Sequence, residues 1–218
     1  MAILFLPNIL RSTATDLERL EGELLDQLKS SKSISIESIP RVKEILDELY
    51  HISNSKLSQY TQYVLDSDQI NAMALPSGII LLTKGFVDIL EDFSDDEIAG
   101  VLAHEIGHIE LGHAKSRMED EFRLNVIESA ASLVLRNPLV NLTVSGMSFL
   151  SQQMFSREHE YEADNYALSL LSNSEYSPVG LIKALQKLSK GDTIPQWLEI
   201  LSTHPHLDER VSNLIKQV

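Results

Sequence analysis

The sequence predicts an α+β fold, mostly helical, with a small β-sheet beside one central helix. Three observations predict it. A stripe of Ile98, Val101, Leu102, Ile106 and Ile109 follows the capping signal Ser94-Asp95-Asp96-Glu97. Short β-type runs at 60–65, 72–75 and 79–83 precede it, divided by turn residues. Leucine-rich stretches of helical period flank both. The chain has 218 residues, 43% of them hydrophobic, which suffices for one compact domain with a sizeable core.

Taken in order, Met1 to Leu10 is apolar but short. It lacks a basic leading region and a small-residue cleavage site, so it makes a poor secretory signal. A cytoplasmic chain and a mature exported chain numbered from an added methionine both fit, and a soluble protein is expected in either case. Leu17, Leu20, Leu24, Leu25 and Leu28 predict an amphipathic helix over 15–30. A Ser/Lys/Ile-rich break follows at 30–38, then a helix over 41–50 with Val42, Ile45, Leu46 and Leu49 inward. These two helices are expected to form a hairpin, residues 1–58, packed on the remainder, 59–218.

Tyr60–Leu65 and Ala72–Leu75 read as strands, Pro76-Ser77-Gly78 as a turn, and Ile79–Thr83 as a buried strand. A short helix over Lys84–Leu90 precedes the central one, which is expected to run from Asp95 to Ser116. There the Ser94 hydroxyl accepts from the Glu97 N–H, and the Glu97 carboxylate accepts from the Ser94 N–H. Asp95 and Asp96 add negative charge where the helix dipole is positive. Further helices are expected at about 125–135, 145–171 and 178–190, with Pro178 in a first turn. The longest apolar region, Val126–Leu150, carries Glu128, Arg136, Asn137, Pro138 and Asn141. A bilayer span needs about 20 largely uncharged residues. A segment packed on the core or lying at an interface is expected instead, and no integral membrane protein.

Inside the central helix, residues 104–108 read His-Glu-Ile-Gly-His. Histidines four apart share a helix face, so His104 and His108 can reach one metal ion. Glu105 then lies beside that ion, placed to take a proton from a bound water. The pattern points to a zinc-dependent hydrolase, most often a peptidase. The bland alternative is two unrelated histidines on a helix, and the agreement of the capping box and the stripe speaks against it.

A catalytic zinc needs a third protein ligand and an open fourth position. A histidine six residues past His108, with a glycine between, would supply it, but those positions hold Ala114 and Leu111. His113 sits about 140° around the helix from His108 and should not reach the same ion, so it reads as a histidine behind the ligands or at the surface. The acidic run Glu158-His159-Glu160-Tyr161-Glu162-Ala163-Asp164 offers several candidates. Glu160 and Asp164 share one face, Glu158 and Glu162 another, and His159 is a further option. Spacing does not choose among them, and a solvated Glu-rich face is the ordinary reading of such a helix. Cysteine is absent, which excludes a disulfide framework, a thiol nucleophile and thiolate ligands. The net charge of −14 disfavours nucleic acid and anionic membranes as partners.

Four stretches together carry a family resemblance. They are Asn71-Ala72-Met73-Ala74-Leu75-Pro76-Ser77-Gly78, Leu102-Ala103-His104-Glu105-Ile106-Gly107-His108, Ser156-Arg157 with Glu160-Tyr161-Glu162-Ala163-Asp164, and Ser202-Thr203-His204-Pro205 with Arg210. In this order, over roughly residues 60–218, the chain resembles the HtpX-like and CAAX-prenyl-protease-like family of gluzincin zinc metallopeptidases. It departs from well-known members in lacking membrane spans. The resemblance implies a gluzincin-type domain with Glu160 as third zinc ligand and Asp164 behind a ligating imidazole. Arg157 would anchor the ligand through a carboxylate, and His204 and Arg210 would stabilise the oxyanion. The strand Asn71, Ala72, Met73 and Ala74 would pair with an extended substrate backbone. Met73 and Leu75 also suit an ordinary core strand.

The function expected is a zinc endopeptidase, with one Zn2+ per chain, acting on extended or unfolded polypeptide. Glu105 takes the proton of the zinc-bound water and returns it to the leaving amine. Two other classes compete: a zinc-containing, chaperone-like peptide-binding module, and a hydrolase of non-peptide amides. Glu105 argues against the first, since a structural site needs no general base. The strand suited to backbone pairing favours peptides over the second. His204 raises a further expectation, a latent state in which its imidazole takes the open zinc position. His206, after the proline, reads as solvent-facing.

Overall fold

Side chains alternate across a strand, so short apolar strands covered on both sides make a sheet with two buried faces. The computed structural model describes residues 14–35, 39–120, 155–190 and 203–218. Four strands, β1 (Ile34–Ser35), β2 (Thr61–Leu65), β3 (Ala72–Ala74) and β4 (Ile79–Thr83), form one mixed sheet in the order β1-β2-β4-β3. β2 and β4 are parallel, with Tyr63 opposite Leu81, while β3 runs antiparallel to β4, with Met73 opposite Leu81. β1 pairs antiparallel with β2 through Ile34 and Leu65. This strand falls in the stretch expected to be a break. Two residues are too few to show a period.

The alternation sorts the core in two. Ala72, Ala74, Ile80 and Leu82 face one side, and Met73, Leu75, Leu81 and Leu65 the other. Helix α1 (Ala14–Ser30) covers the second face with Leu17, Leu24 and Leu28. Helix α2 (Pro40–Ser53) joins the first with Val42, Ile45, Leu46 and Leu49. Both helices lie where the leucine periodicity put them, but they serve opposite faces of the sheet, with β1 between them in the chain. The short helix α3 (Lys84–Asp88) starts at Thr83, whose hydroxyl accepts from Phe86 N, and a 3-10 turn follows at Leu90–Asp92.

Helix α4 (Asp95–Glu110) is buried along almost its whole length. Its capping box is complete: Ser94 N donates to Glu97 Oε2 at 2.7 Å, and Glu97 N to Ser94 Oγ at 3.3 Å. Against it pack α5 (Arg157–Leu171) and α6 (Val179–Lys190), and α7 (Leu207–Ile215) packs on those two helices. Gly107 is where α4 and α5 meet. A Cβ there would lie 3.0 Å from both Cα and O of Ala163, so only glycine admits so close a crossing.

Three boundaries differ from expectation. α4 stops at Glu110 instead of Ser116, because Gly112 takes a left-handed φ of +76° and the chain resumes as a new helical stretch at 113–120. The helix expected over 145–171 does not run unbroken, since Phe155 and Ser156 are non-helical and the Ser156 hydroxyl caps α5 by accepting from His159 N at 3.1 Å. α7 was not expected at all: Leu207, Val211 and Leu214 do follow a helical period, but over only nine residues. The expectations for 1–10, 125–135 and Val126–Leu150 fall outside the described residues. Among the described residues, no helix is long and apolar enough to cross a membrane.

Lys187 on α6 ties that helix to the start of α4, donating to Glu97 Oε2 at 2.7 Å and to Asp92 O at 2.6 Å. Burial pushes the Glu97 carboxyl up, but the hydrogen bonds from Lys187 and Ser94 outweigh it and hold it below 4.5. A depressed folded value means the stabilisation is complete above the unfolded value and decays as pH falls through the folded one. The stability difference between wild type and Glu97→Gln should therefore be largest at pH 7 and shrink toward pH 3, as read by denaturant midpoints.

Candidate metal centre

Helix geometry sets the first half of the site. His104 and His108, one turn apart on α4, bring their Nε2 atoms to 3.1 Å from each other. The crossing at Gly107 delivers the Glu160 carboxylate from α5. Its Oε1 lies 3.4 Å from His108 Nε2, and its Oε2 lies 3.5 Å from His104 Nε2. His204, just before α7, places Nδ1 3.2 Å from Glu160 Oε1. Donor atoms of His104, His108, Glu160 and His204 all lie within 4.8 Å of one another, and all four residues are buried. Glu105 stands beside them with Oε1 3.5 Å from His204 Nε2, and its buried Oε2 has no hydrogen-bond partner. Converging imidazole and carboxylate donors next to a buried carboxylate oxygen without a partner fit a metal ion, and nitrogen with oxygen suits zinc.

Arg210 holds this cluster of acids together. Its Nε donates to Asp164 Oδ2 at 2.8 Å, Nη2 to Asp164 Oδ1 at 2.7 Å, and Nη1 to Glu160 Oε2. Asp164 Oδ1 in turn lies 3.0 Å from His104 Nδ1, so that ring is fixed from behind. Burial raises the Glu160 and Asp164 carboxyls, yet Arg210 foremost, then the neighbouring imidazoles, hold both ionised, Glu160 well below its usual range. Burial and Arg210 favour the neutral ring of His104, but Asp164 and Glu160 outweigh them and push it up to about 9. Burial drives His108 far the other way. Glu105 is raised, chiefly by burial, which makes it a stronger base than a solvated carboxylate.

Of the residues proposed from the sequence, His104, Glu105, His108, Glu160 and His204 are brought together, with Asp164 directly behind His104. Arg210 is present too, with its guanidinium bonded to the carboxylates of Glu160 and Asp164. Arg157 does not reach the site. It is the first residue of α5, half-exposed, and its guanidinium turns outward to Glu209 at 3.5 Å. The anchoring expected of it falls to Arg210. The rival ligands Glu158 and Glu162 are exposed and do not join the donor cluster.

Among the described residues, β3 lies at the sheet edge beside the centre. Asn71, Ala72, Met73 and Ala74 are all buried. Ala72 O accepts from His204 Nε2 at 3.3 Å, and Asn71 Oδ1 accepts from Ala72 N at 3.0 Å and from Thr203 Oγ1 at 3.1 Å. Asn71 Nδ2 is buried without a hydrogen-bond partner. Sequence reasoning missed Phe155, whose ring stacks on His108 at 3.6 Å and 14°. His113, expected to stay off the ion, lies behind His108 with its Nδ1 3.1 Å from His108 Nδ1, brought there by the turn at Gly112.

Comparison with known proteins places this arrangement in context. Residues 38–218 match the model of peptidase family M48, a span that takes in α2 and leaves out α1. The metalloprotease LoiP of Escherichia coli is 29% identical over 178 residues, covering 80% of this chain and 68% of that protein. The beta-barrel assembly-enhancing protease of Yersinia pestis is 30% identical over 171 residues, covering 74% and 35%. The mitochondrial metalloendopeptidase OMA1 of Arabidopsis thaliana is 32% identical over 176 residues, covering 78% and 34%. The chain thus spans about a third of the length of the last two relatives.

The carboxylate cluster predicts a large effect at Arg210. Arg210→Met leaves Glu160 and Asp164 buried and uncompensated, a loss of about 3–5 kcal/mol in unfolding free energy at pH 7. Both carboxyls titrate low in the folded protein, so their stabilisation disappears as pH falls. The deficit of the variant should accordingly narrow toward pH 3, as measured by denaturant unfolding in the presence of a chelator.

Proposed function

We propose, from the premise that this chain belongs to peptidase family M48 and is a metalloendopeptidase, that its metal is one zinc ion on His104, His108 and Glu160 and that its substrate is extended or unfolded polypeptide. The observation that carries the proposal is the convergence of those donors beside the partnerless Glu105 Oε2. Bound there, zinc supplies Lewis acidity toward a scissile carbonyl and lowers the pKa of water toward 7. Glu105 takes the proton from the attacking water and passes it to the leaving amine nitrogen, a role its raised pKa supports. His204 donates from Nε2 to the oxyanion. Asp164 and Arg210 keep His104 oriented throughout.

The substrate backbone pairs along the edge of Asn71, Ala72, Met73 and Ala74. Main-chain pairing recognises an extended segment with little regard to side chains, hence the preference for unfolded protein. Asn71 Nδ2, buried without a partner, supplies one donor for it. His204 engages Ala72 O, so it must turn aside before that carbonyl can receive a substrate N–H. A peptide-binding module without turnover is disfavoured, because Glu105 is present and poised.

A second reading concerns the resting enzyme. His204 joins the other three donors within 4.8 Å, which supports a latent state with its imidazole as fourth ligand. Turning aside would then open both the metal and the strand.

Glu105→Gln should keep one zinc per chain and lose cleavage of unfolded casein by about 10²–10⁴-fold; wild-type turnover in that variant would sink the assignment. For latency, His204→Ala should reduce the count of nitrogen ligands seen by X-ray absorption at the zinc edge, while its cleavage of casein falls with the loss of the oxyanion donor. Unchanged nitrogen coordination would rule the latent state out.

A further inference from the structure

We propose that His113 and Glu162 complete a hydrogen-bonded chain with His108 that fixes which nitrogen of His108 faces the metal, making His113 a positioning residue of the centre. The inference rests on the reading of His108 as a metal ligand. It starts from the left-handed turn at Gly112, which ends α4 and folds the chain back so that His113 is buried against His108. The two Nδ1 atoms lie 3.1 Å apart, and His113 Nε2 lies 3.0 Å from Glu162 Oε2.

Only one set of proton positions satisfies all three residues. His108 Nε2 faces His104 Nε2 and Glu160 Oε1, so it must offer a lone pair to a metal there and carry its proton on Nδ1. That Nδ1–H donates to His113 Nδ1, which must therefore be the acceptor. The His113 proton then sits on Nε2 and donates to the Glu162 carboxylate, which can only accept. Among the described residues, His113 is the one polar partner of His108 Nδ1, because Phe155 stacked on the ring provides no acceptor. The His113 ring is itself held flat against His159, at 4.2 Å and 18°.

The two ligand histidines are thus supported differently. His104 meets a carboxylate directly, Asp164 at 3.0 Å, with a side chain only 3% exposed. His108 reaches a carboxylate through a second imidazole, and that carboxylate, Glu162, is 60% exposed. One arm is locked in the core and the other ends in solvent. A ligating imidazole whose outer partner is removed usually loses metal affinity by about 10–100-fold.

The test titrates metal-free full chain with zinc against a chromophoric chelator, and records histidine 15N spectra of the zinc-loaded proteins. His113→Leu should weaken zinc binding by about 10–100-fold and shift the His108 Nδ1 resonance. His113→Asn, whose side-chain oxygen can stand where Nδ1 stood, should restore most of the affinity. Glu162→Ala should weaken it less, and the double variant with His113→Leu should bind no more weakly than His113→Leu alone, because the residues act in series. Wild-type affinity and spectrum in His113→Leu, or additive losses in the double variant, would overturn the chain. Should leucine disturb folding, Glu162→Ala decides alone from its exposed position, and undiminished affinity there overturns it. His108→Ala separates the two levels: wild-type zinc affinity in that variant removes the metal reading itself, and this inference with it.

Discussion

A buried guanidinium between two buried carboxylates is the constraint on which the rest of the structure depends. Glu160 and Asp164 lie one turn apart on α5, both inside the protein, and Arg210 from α7 neutralises the pair. Without that cation, neither acid could stay ionised in so dry a place. An ionised Glu160 is what allows carboxylate and imidazole donors to face one another. An ionised Asp164 is what holds His104 from behind. Helix α7 is therefore part of the centre, held against α5 and α6 by buried Leu207 and Leu214 as well as by Arg210.

Two close approaches turn this electrostatic core into a site. Gly107, within the His-Glu-Ile-Gly-His run, lets α4 and α5 touch at backbone distance and carries Glu160 to the two imidazoles. On the other side, β3 presents its edge, and His204 bridges from that edge to the acids. One histidine so placed touches both the Glu160 carboxylate and the backbone of β3.

Much of this was legible in the chain. The capping box at Ser94, the stripe on α4 and the i, i+4 spacing of His104 and His108 are local features, and local geometry alone puts both rings on one face. The strands at 61–65, 72–74 and 79–83 stood out because each run is short, of β-forming or apolar residues, and bounded by turn residues. The resemblance picked Glu160 out of the acidic helix, where spacing left Glu158, Glu162 and His159 open. Other features were hidden for physical reasons. β1 and α7 are too short to display a period. Arg157 and Arg210 have the same side chain and both belong to matching segments, so nothing local says which one turns inward.

The sequence by itself determined the motif helix, the placing of Glu105 beside two histidines, the absence of thiolate ligands and the mostly helical α+β class. Each depends on contacts between residues close in the chain or on composition. Only the tertiary structure decided that the two N-terminal helices cover opposite faces of the sheet, that Arg210 rather than Arg157 anchors the acids, and that His113 backs His108. These depend on side chains 5 to 106 positions apart meeting across a turn or between helices. Their positions follow from the crossing of α4 with α5 and from a left-handed residue at Gly112, neither of which a hydrophobic pattern encodes.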